Sequence, residues 1–165
     1  MVSPQYKIGS GYDVHRLVSG RPLMLGGVEI KSHKGLDGHS DADVLIHAVC
    51  DAVLGAAGLG DIGEHFPDTD PQYKEISSMV LLERCRVLLR NQGYESVNLD
   101  AIVFAQTPKI SPYKNQMAKN ISTCLRIDQI CVNIKATTTE ELGFAGKEEG
   151  IAAQCTILVQ LKDNV

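Results

Sequence analysis

The chain contains no tryptophan, and only 5% of its residues are aromatic. Its interior must be filled with aliphatic side chains and alanine rather than with large rings. No apolar run approaches the roughly 18 residues needed to cross a bilayer. The N-terminus also lacks a basic segment followed by an apolar stretch and a cleavage site. A mature soluble protein is expected, cytoplasmic, or from a plastid or plastid-like organelle where a transit peptide has been trimmed. No C-x-x-C spacing occurs. The five cysteines, Cys50, Cys85, Cys124, Cys131 and Cys155, are odd in number and sit in apolar surroundings. That pattern fits reduced core thiols in a reducing compartment and argues against a thiolate zinc site. An excess of basic charge is missing too, since 16 Lys and Arg against 20 Asp and Glu give a net charge of −4. Nucleic acid is therefore excluded as the expected partner. An anionic small substrate would have to be met by metal ions or local dipoles. Repeats and low-complexity tracts are absent as well.

At 165 residues and 44% hydrophobic content, residues 1–165 make one domain with an ordinary core. Gln5 to Asp13 reads as a strand with glycine interruptions, and Leu23 to Leu25 and Val28 to Lys31 flank Gly26-Gly27 as a hairpin. After a polar stretch from Lys34 to His39, Ser40 or Asp41 is placed to cap a helix running to about Ala57. This helix is apolar nearly all round and is expected to be buried. Gly58 to Pro71 is an acidic loop too long for a mere connector. A second helix spans Ile76 to Gln92, and a strand Val97 to Gln106. Thr107 to Pro112 must be irregular because of its prolines. A third helix covers about Tyr113 to Arg126, and strands follow at Cys131 to Ala136 and Ile151 to Leu161, the last alternating loosely. The fold class is α/β (α+β): a mixed sheet with helices packed on one face and a small β-hairpin. The pattern leaves strand order open.

Two apart on a strand, Asp13 and His15 point to the same face, with Val14 turned the other way into packing. On the first helix Asp43, His47 and Asp51 follow one another at four-residue steps, a polar stripe on an apolar surface. Two imidazoles and one carboxylate form a known zinc ligand set with an open fourth position. Asp51 is the expected partner orienting an imidazole from behind. Taken alone, His47 is better explained as a hydrogen-bonded core histidine; the acidic stripe around it reverses that and favours a cation. His39 and Ser40 lie at the expected positive end of the helix, suited to phosphate, or Ser40 simply caps it. His33 and His65 read as surface residues. Thr137, Thr138 and Thr139 follow a strand and offer donors for phosphate, with Glu140 a hard oxygen ligand for Mg²⁺; a T-x-x-E capping box is the alternative. Asp61, Asp68 and Asp70 either bind sugar hydroxyls or are solvated.

The motifs GYDVHRL (Gly11 to Leu17), LGGV (Leu25 to Val28), HSDADVLIHA (His39 to Ala48), LGDIGEHFPDTDP (Leu59 to Pro71), AQTPK (Ala105 to Lys109) and KATTTEELGFAGKEEGI (Lys135 to Ile151) carry a resemblance along nearly the whole chain. In this respect the sequence resembles the 2-C-methyl-D-erythritol 2,4-cyclodiphosphate synthase family of the non-mevalonate isoprenoid pathway. The resemblance implies a metal-dependent phosphorus–oxygen lyase that closes a cyclodiphosphate ring and expels CMP. It implies zinc on Asp13, His15 and His47, with a substrate oxygen in the fourth position, and Mg²⁺ or Mn²⁺ on Glu140. His39 and Thr138 would hold phosphates and stabilise the transition state, assisted by Ser40. Asp61, Ile62 and Gly63, with Phe66, Pro67, Asp68, Thr69 and Asp70, would hold the ribose and erythritol. The segment Ala105, Gln106, Thr107, Pro108, Lys109, Ile110 and Ser111 would enclose the cytosine, with Lys109 near the phosphates. The family is a homotrimer with sites between subunits and sheets facing a central axis, which would explain an apolar strand on both faces at Ile151 to Leu161. A central cavity near Tyr12 and Phe144, which in relatives can hold an isoprenoid diphosphate, is implied as well. Lys147 departs from the pattern where arginine is common, as does Glu148 where glycine is common; lysine keeps the charge and loses the bidentate fork. Rival classes are a zinc hydrolase and a non-catalytic isoprenoid-diphosphate binder.

Overall fold

The computed structural model describes residues 4–162. Twelve regular elements follow one another: β1 (Tyr6–Ser19), β2 (Leu23–Leu25), β3 (Val28–Ile30), β4 (Lys34–Leu36), α1 (Val44–Ala57), α2 (Ile62–His65), α3 (Ser78–Asn91), β5 (Tyr94–Phe104), α4 (Lys114–Leu125), β6 (Val132–Thr137), α5 (Gly143–Gly146) and β7 (Gly150–Leu161). The main sheet has the order β4-β1-β7-β5-β6, and β2 and β3 form a separate hairpin. Among the described residues only β5 and β6 run parallel, which leaves α4 as the crossover between them. The expected mixed sheet with a small hairpin is therefore present, and the order that the sequence left open is set by β7 entering between β1 and β5. None of the helices among the described residues is long and apolar enough to cross a membrane.

Alternation along β1 divides the molecule. Gly9 and Gly11 are buried and Asp13 and His15 half-buried toward the helices, while Tyr6, Ile8, Tyr12 and Val14 stand exposed on the open face. Val14 is thus not packed inside: with 46% of its surface exposed, it belongs to an uncovered apolar face. The two glycines let α1 lie against the strand at backbone distance. A Cβ on Gly9 would come 1.9 Å from the Ala52 carbonyl oxygen, and one on Gly11 2.1 Å from that of Ala48. Alanines 48, 52 and 56 supply the matching flat stripe, and the rest of α1 is almost wholly buried. On β7, Ile151, Ala153, Cys155, Ile157 and Val159 face this core, whereas Gln154 and Thr156 face outward. The expectation of a strand apolar on both faces fails there, since only Ala152 and Leu158 keep the outer side apolar along that stretch.

Element bounds differ from the sequence reading where long-range partners decide them. β1 continues to Ser19 because β4 pairs with its end at Leu17, Val18 and Ser19, and β4 falls within the stretch read only as polar. α1 begins later than expected. Its N-cap is Asp43, whose Oδ1 accepts from Ile46 N at 3.1 Å. The same carboxylate accepts from Gly26 N at 2.9 Å and Gly27 N at 2.7 Å. Asp43 is therefore the clamp between the hairpin turn and the helix start, satisfied by three backbone donors without a cation.

Candidate active site

Where the middle of β1 meets α1, three donor atoms converge. His15 Nε2 and His47 Nδ1 each lie 3.0 Å from Asp13 Oδ2, and 3.0 Å from each other. An ion bonded at about 2.0–2.2 Å in tetrahedral geometry holds its donors roughly 3.3–3.6 Å apart, so this triangle fits a metal after an opening of a few tenths of an ångström. Among the described residues it is the one cluster of this kind. Tautomers are set from behind. His15 Nδ1–H donates to the Asp37 carbonyl oxygen at 2.6 Å, which leaves Nε2 as the donor atom for an ion. On the far side of His47, Nε2 meets Ser78 Oγ at 2.9 Å and Ser40 Oγ at 3.1 Å. Ser78 in turn donates its hydroxyl to Asp41.

Electrostatics follow from this geometry. Burial opposes ionisation of Asp13, but hydrogen bonds and charge from His15 and His47 outweigh it and hold the carboxyl well below its usual range. Burial likewise pulls His15 down, yet the Asp13 hydrogen bond and charge, with the Asp37 carbonyl, leave it raised above its ordinary value.

A cleft of about 540 Å³ opens over the triangle, lined by Gly38, His39 and Ser40 on one side and by Ile62, Gly63, Phe66, Pro67, Asp68 and Thr69 on the other. Tyr73 and Leu81 complete the wall. Asp61 caps α2 by accepting from Glu64 N at 3.0 Å, and Asp70 caps the short 3-10 turn Pro71–Tyr73 by accepting from Gln72 N at 3.0 Å. Asp68 is exposed in the cleft wall. His39 Nε2 lies 3.2 Å from the Asp70 carbonyl oxygen, tying the two sides together.

Three readings of this region need correction. Asp43 does not belong to the metal stripe, because it caps α1. His39 and Ser40 precede the helix by several residues, and its first turn is already closed by the Asp43 carboxylate. Asp51, expected behind an imidazole, accepts instead from Ile62 N at 2.8 Å and so pins the acidic loop to α1. Burial raises its pKa, with the Ile62 N–H opposing. The imidazole-orienting group is Ser78, whose role the sequence does not signal, since it stands 31 residues from His47 and marks itself only as a helix start.

The second constellation lies elsewhere in the same chain. Thr137 ends β6, and the cross-strand row Val14, Ala152, Phe104, Thr137 puts it level with the metal triangle. Three strand spacings, about 14 Å, separate them. Ala105 N donates to the Thr137 carbonyl oxygen at 3.0 Å, which places Ala105 to Ser111 beside the threonines. Ile110 is buried, while Thr107, Lys109 and Ser111 are exposed and Gln106 keeps a buried oxygen without a partner. Thr138 Oγ1 donates to Glu140 Oε1 at 2.7 Å, and no helix starts there, so the capping-box reading falls. Thr139 Oγ1 donates to the Leu142 carbonyl oxygen at 2.7 Å. On the open face, Tyr12 and Phe144 share a hollow of about 190 Å³ with Phe104 and Ala152. Lys147 is exposed beside it in sequence, and Glu148 sits at φ 56° in the left-handed region.

A helix-covered mixed sheet carrying a carboxylate and two imidazoles at the mouth of a polar cleft defines an α/β protein with a substrate-accessible metal site. The chain belongs to the YgbB family, whose sequence pattern matches residues 6–160. It is 59% identical over 154 residues to the 2-C-methyl-D-erythritol 2,4-cyclodiphosphate synthase of Desulfatibacillum aliphaticivorans, covering 93% of this chain and 99% of that one. Its fold matches the bifunctional IspDF of Campylobacter jejuni with a TM-score of 0.93 and 46% identity, covering 98% of this chain; the chain spans 44% of that longer protein. Against the Plasmodium falciparum IspF in its CDP complex, the TM-score is 0.86 at 36% identity, covering 98% of this chain and all of the other, 100%.

Proposed function

We propose that the chain is a 2-C-methyl-D-erythritol 2,4-cyclodiphosphate synthase acting on 4-diphosphocytidyl-2-C-methyl-D-erythritol 2-phosphate. An oxygen of the 2-phosphate bonds to the diphosphate phosphorus nearer the erythritol. The bond from that phosphorus to the bridging oxygen breaks, and its electron pair leaves on CMP. The observation that carries this reading is the donor triangle of Asp13, His15 and His47 opening into a cleft walled by His39, Ser40 and the acidic loop. Such a reaction needs no protein nucleophile; it needs the phosphates held in line and their charge met by fixed donors.

Zinc on the triangle and Mg²⁺ or Mn²⁺ at Glu140 would withdraw charge from the phosphate oxygens. His39, Ser40 and Thr138 hold the phosphates. Phe66 to Asp70 and Asp61 to Gly63 hold the sugar parts, and Ala105 to Ser111 the cytosine. The threonine and cytosine segments lie about 14 Å across the sheet from the triangle, which favours a site completed by the threonine half of a neighbouring chain. A head-to-tail ring of three copies, packing the apolar faces of Tyr6, Ile8, Tyr12 and Val14 inward, supplies the missing half from a neighbour. The hollow at Tyr12 and Phe144 then borders the ring axis, where an isoprenoid diphosphate would meet Lys147. A cytoplasmic site of action is part of this reading, supported by the bacterial origin of similar proteins.

The test is turnover. Zinc-loaded protein given the cytidylylated 2-phosphate substrate and Mg²⁺ should release CMP and the cyclic diphosphate in equal amounts; no CMP from fully metallated protein would overturn the assignment. Native mass spectrometry should find one zinc per chain and a mass three times that of the chain.

A further inference from the structure

At the other end of the sheet from the metal triangle is a cavity that the proposed reaction does not use. β7 spans the distance: Ile151 pairs with His15, and Gln160 with Tyr6 at the far end, nine residues or about 30 Å away. There the last turns of α3, the start of β5, the end of α4 and Lys162 enclose about 300 Å³.

Its lining reverses the charge of the molecule. Three of the six arginines in the sequence, Arg86, Arg90 and Arg126, stand around it with Lys162, although the chain as a whole carries −4. Arg86 is 8% exposed and grips Glu83 through two nitrogens. Glu95 at the rim accepts from Gln160 Nε2 at 2.9 Å. Among the described residues no carboxylate pairs with Arg90, Arg126 or Lys162. With Glu83 and Glu95 offsetting two of the four cations, two positive charges remain. Arg126 occupies the αL cap of α4 at φ 59°, a place glycine usually takes.

The second observation is independent of charge. Ser96 is 8% exposed, lines this cavity, and its Oγ has no hydrogen-bond partner. It lies where β5 slips against β7, between Ser96 and Asn98. Arginines in the last turns of helices offset the helix dipole without any ligand. That role gives no reason for a buried hydroxyl left unpaired beside them.

We infer that this cavity is a second anion site, built for a phosphate group, free or as a monoester. On binding, the Ser96 hydroxyl, now buried, turns about its χ1 into the cavity and donates to one phosphate oxygen, and the guanidinium forks of Arg90 and Arg126 take others, a geometry that planar donors serve better than point charges. A dianion balances the two unpaired positive charges.

Titration of the metal-loaded protein with orthophosphate or glycerol 3-phosphate, followed by backbone amide NMR, tests this. Both signals and affinity decide. Orthophosphate should shift the amides of Glu95, Ser96 and Arg126. Tighter binding of glycerol 3-phosphate supports an esterified ligand, and orthophosphate alone supports the free ion. The double variant Arg90→Ala, Arg126→Gly, in which glycine relieves the αL position, should weaken the site about a hundredfold, roughly tenfold per guanidinium. Ser96→Ala should keep or raise the ligand-free unfolding temperature, because no bond is lost, and should weaken phosphate binding. Shifts confined to residues around His39 and Thr138, or unchanged affinity in the double variant, would overturn the assignment.

Discussion

Ser78 Oγ stands 2.9 Å from His47 Nε2 and donates its own hydroxyl hydrogen bond to Asp41, so a carboxylate outside the metal triangle determines which nitrogen of His47 faces the ion. Ser78→Ala should lower zinc affinity about 10- to 100-fold, the usual effect of losing an outer partner. Competition against a chromophoric chelator measures this. Wild-type affinity in Ser78→Ala would mean that packing alone orients the imidazole.

The metal-free protein should have a pH window of its own. Asp13 has a lowered pKa, so its contribution is present above the ordinary 3.8 and fades as pH falls below it. His15 has a raised pKa, so its contribution is full below the ordinary 6.5 and fades as pH rises past it. The excess unfolding temperature of chelated protein over Asp13→Asn should therefore be greatest between about pH 4 and 6.5. Thermal scans across pH 3 to 9 give the curve. Zinc should remove the decline on the alkaline side, since it replaces the proton on His15.

Gly11→Ala forces a methyl to within 2.1 Å of the Ala48 carbonyl oxygen, one residue from His47. Overpacking of this kind costs about 1–3 kcal/mol or more. The unfolding temperature should fall by several degrees, and zinc affinity with it, because α1 must lift off β1. Ser10→Ala, on the exposed face of the same strand, should do neither.

Asp51→Ala separates the loop from the metal. With the bond to Ile62 N gone, the acidic segment loses its anchor on α1. KM for the substrate should rise while zinc affinity stays within about twofold of wild type, since Asp51 bonds to neither imidazole. A zinc loss as large as that of Ser78→Ala would restore Asp51 to the place the sequence implied.

What the sequence disclosed and what it hid divide along contact range. Asp13 and His15 alternate on one strand, and His47 sits on a helix whose apolar surface is plain, so each ligand is legible locally, while the joining of the three rests on the family resemblance, since His47 lies 32 and 34 residues from its partners. The wall of the cleft was legible from motifs alone, Phe66 to Thr69 among them. Asp43 was misread because its caps and its bonds to Gly26 and Gly27 need the hairpin folded back over the helix, 16 and 17 residues away. β4 escaped for a similar reason: three residues become a strand only because β1 runs on to meet them. Ser78 carried no signal at all, since a serine at a helix start is ordinary until a histidine lies behind it.

The gap across the sheet between His47 and Thr138 has a genetic consequence. Under the proposed ring, each site draws the metal half from one chain and the threonine half from the next, so a His47→Ala allele and a Thr138→Ala allele damage different partners of the same site. Co-expressed, the two dead proteins should complement, because about a quarter of the sites in randomly mixed rings pair an intact half with an intact half. CMP release near that fraction of wild type, from a preparation in which each parent alone is inactive, is the expected result. Strict additivity of the two inactive parents would place the whole site within a single chain.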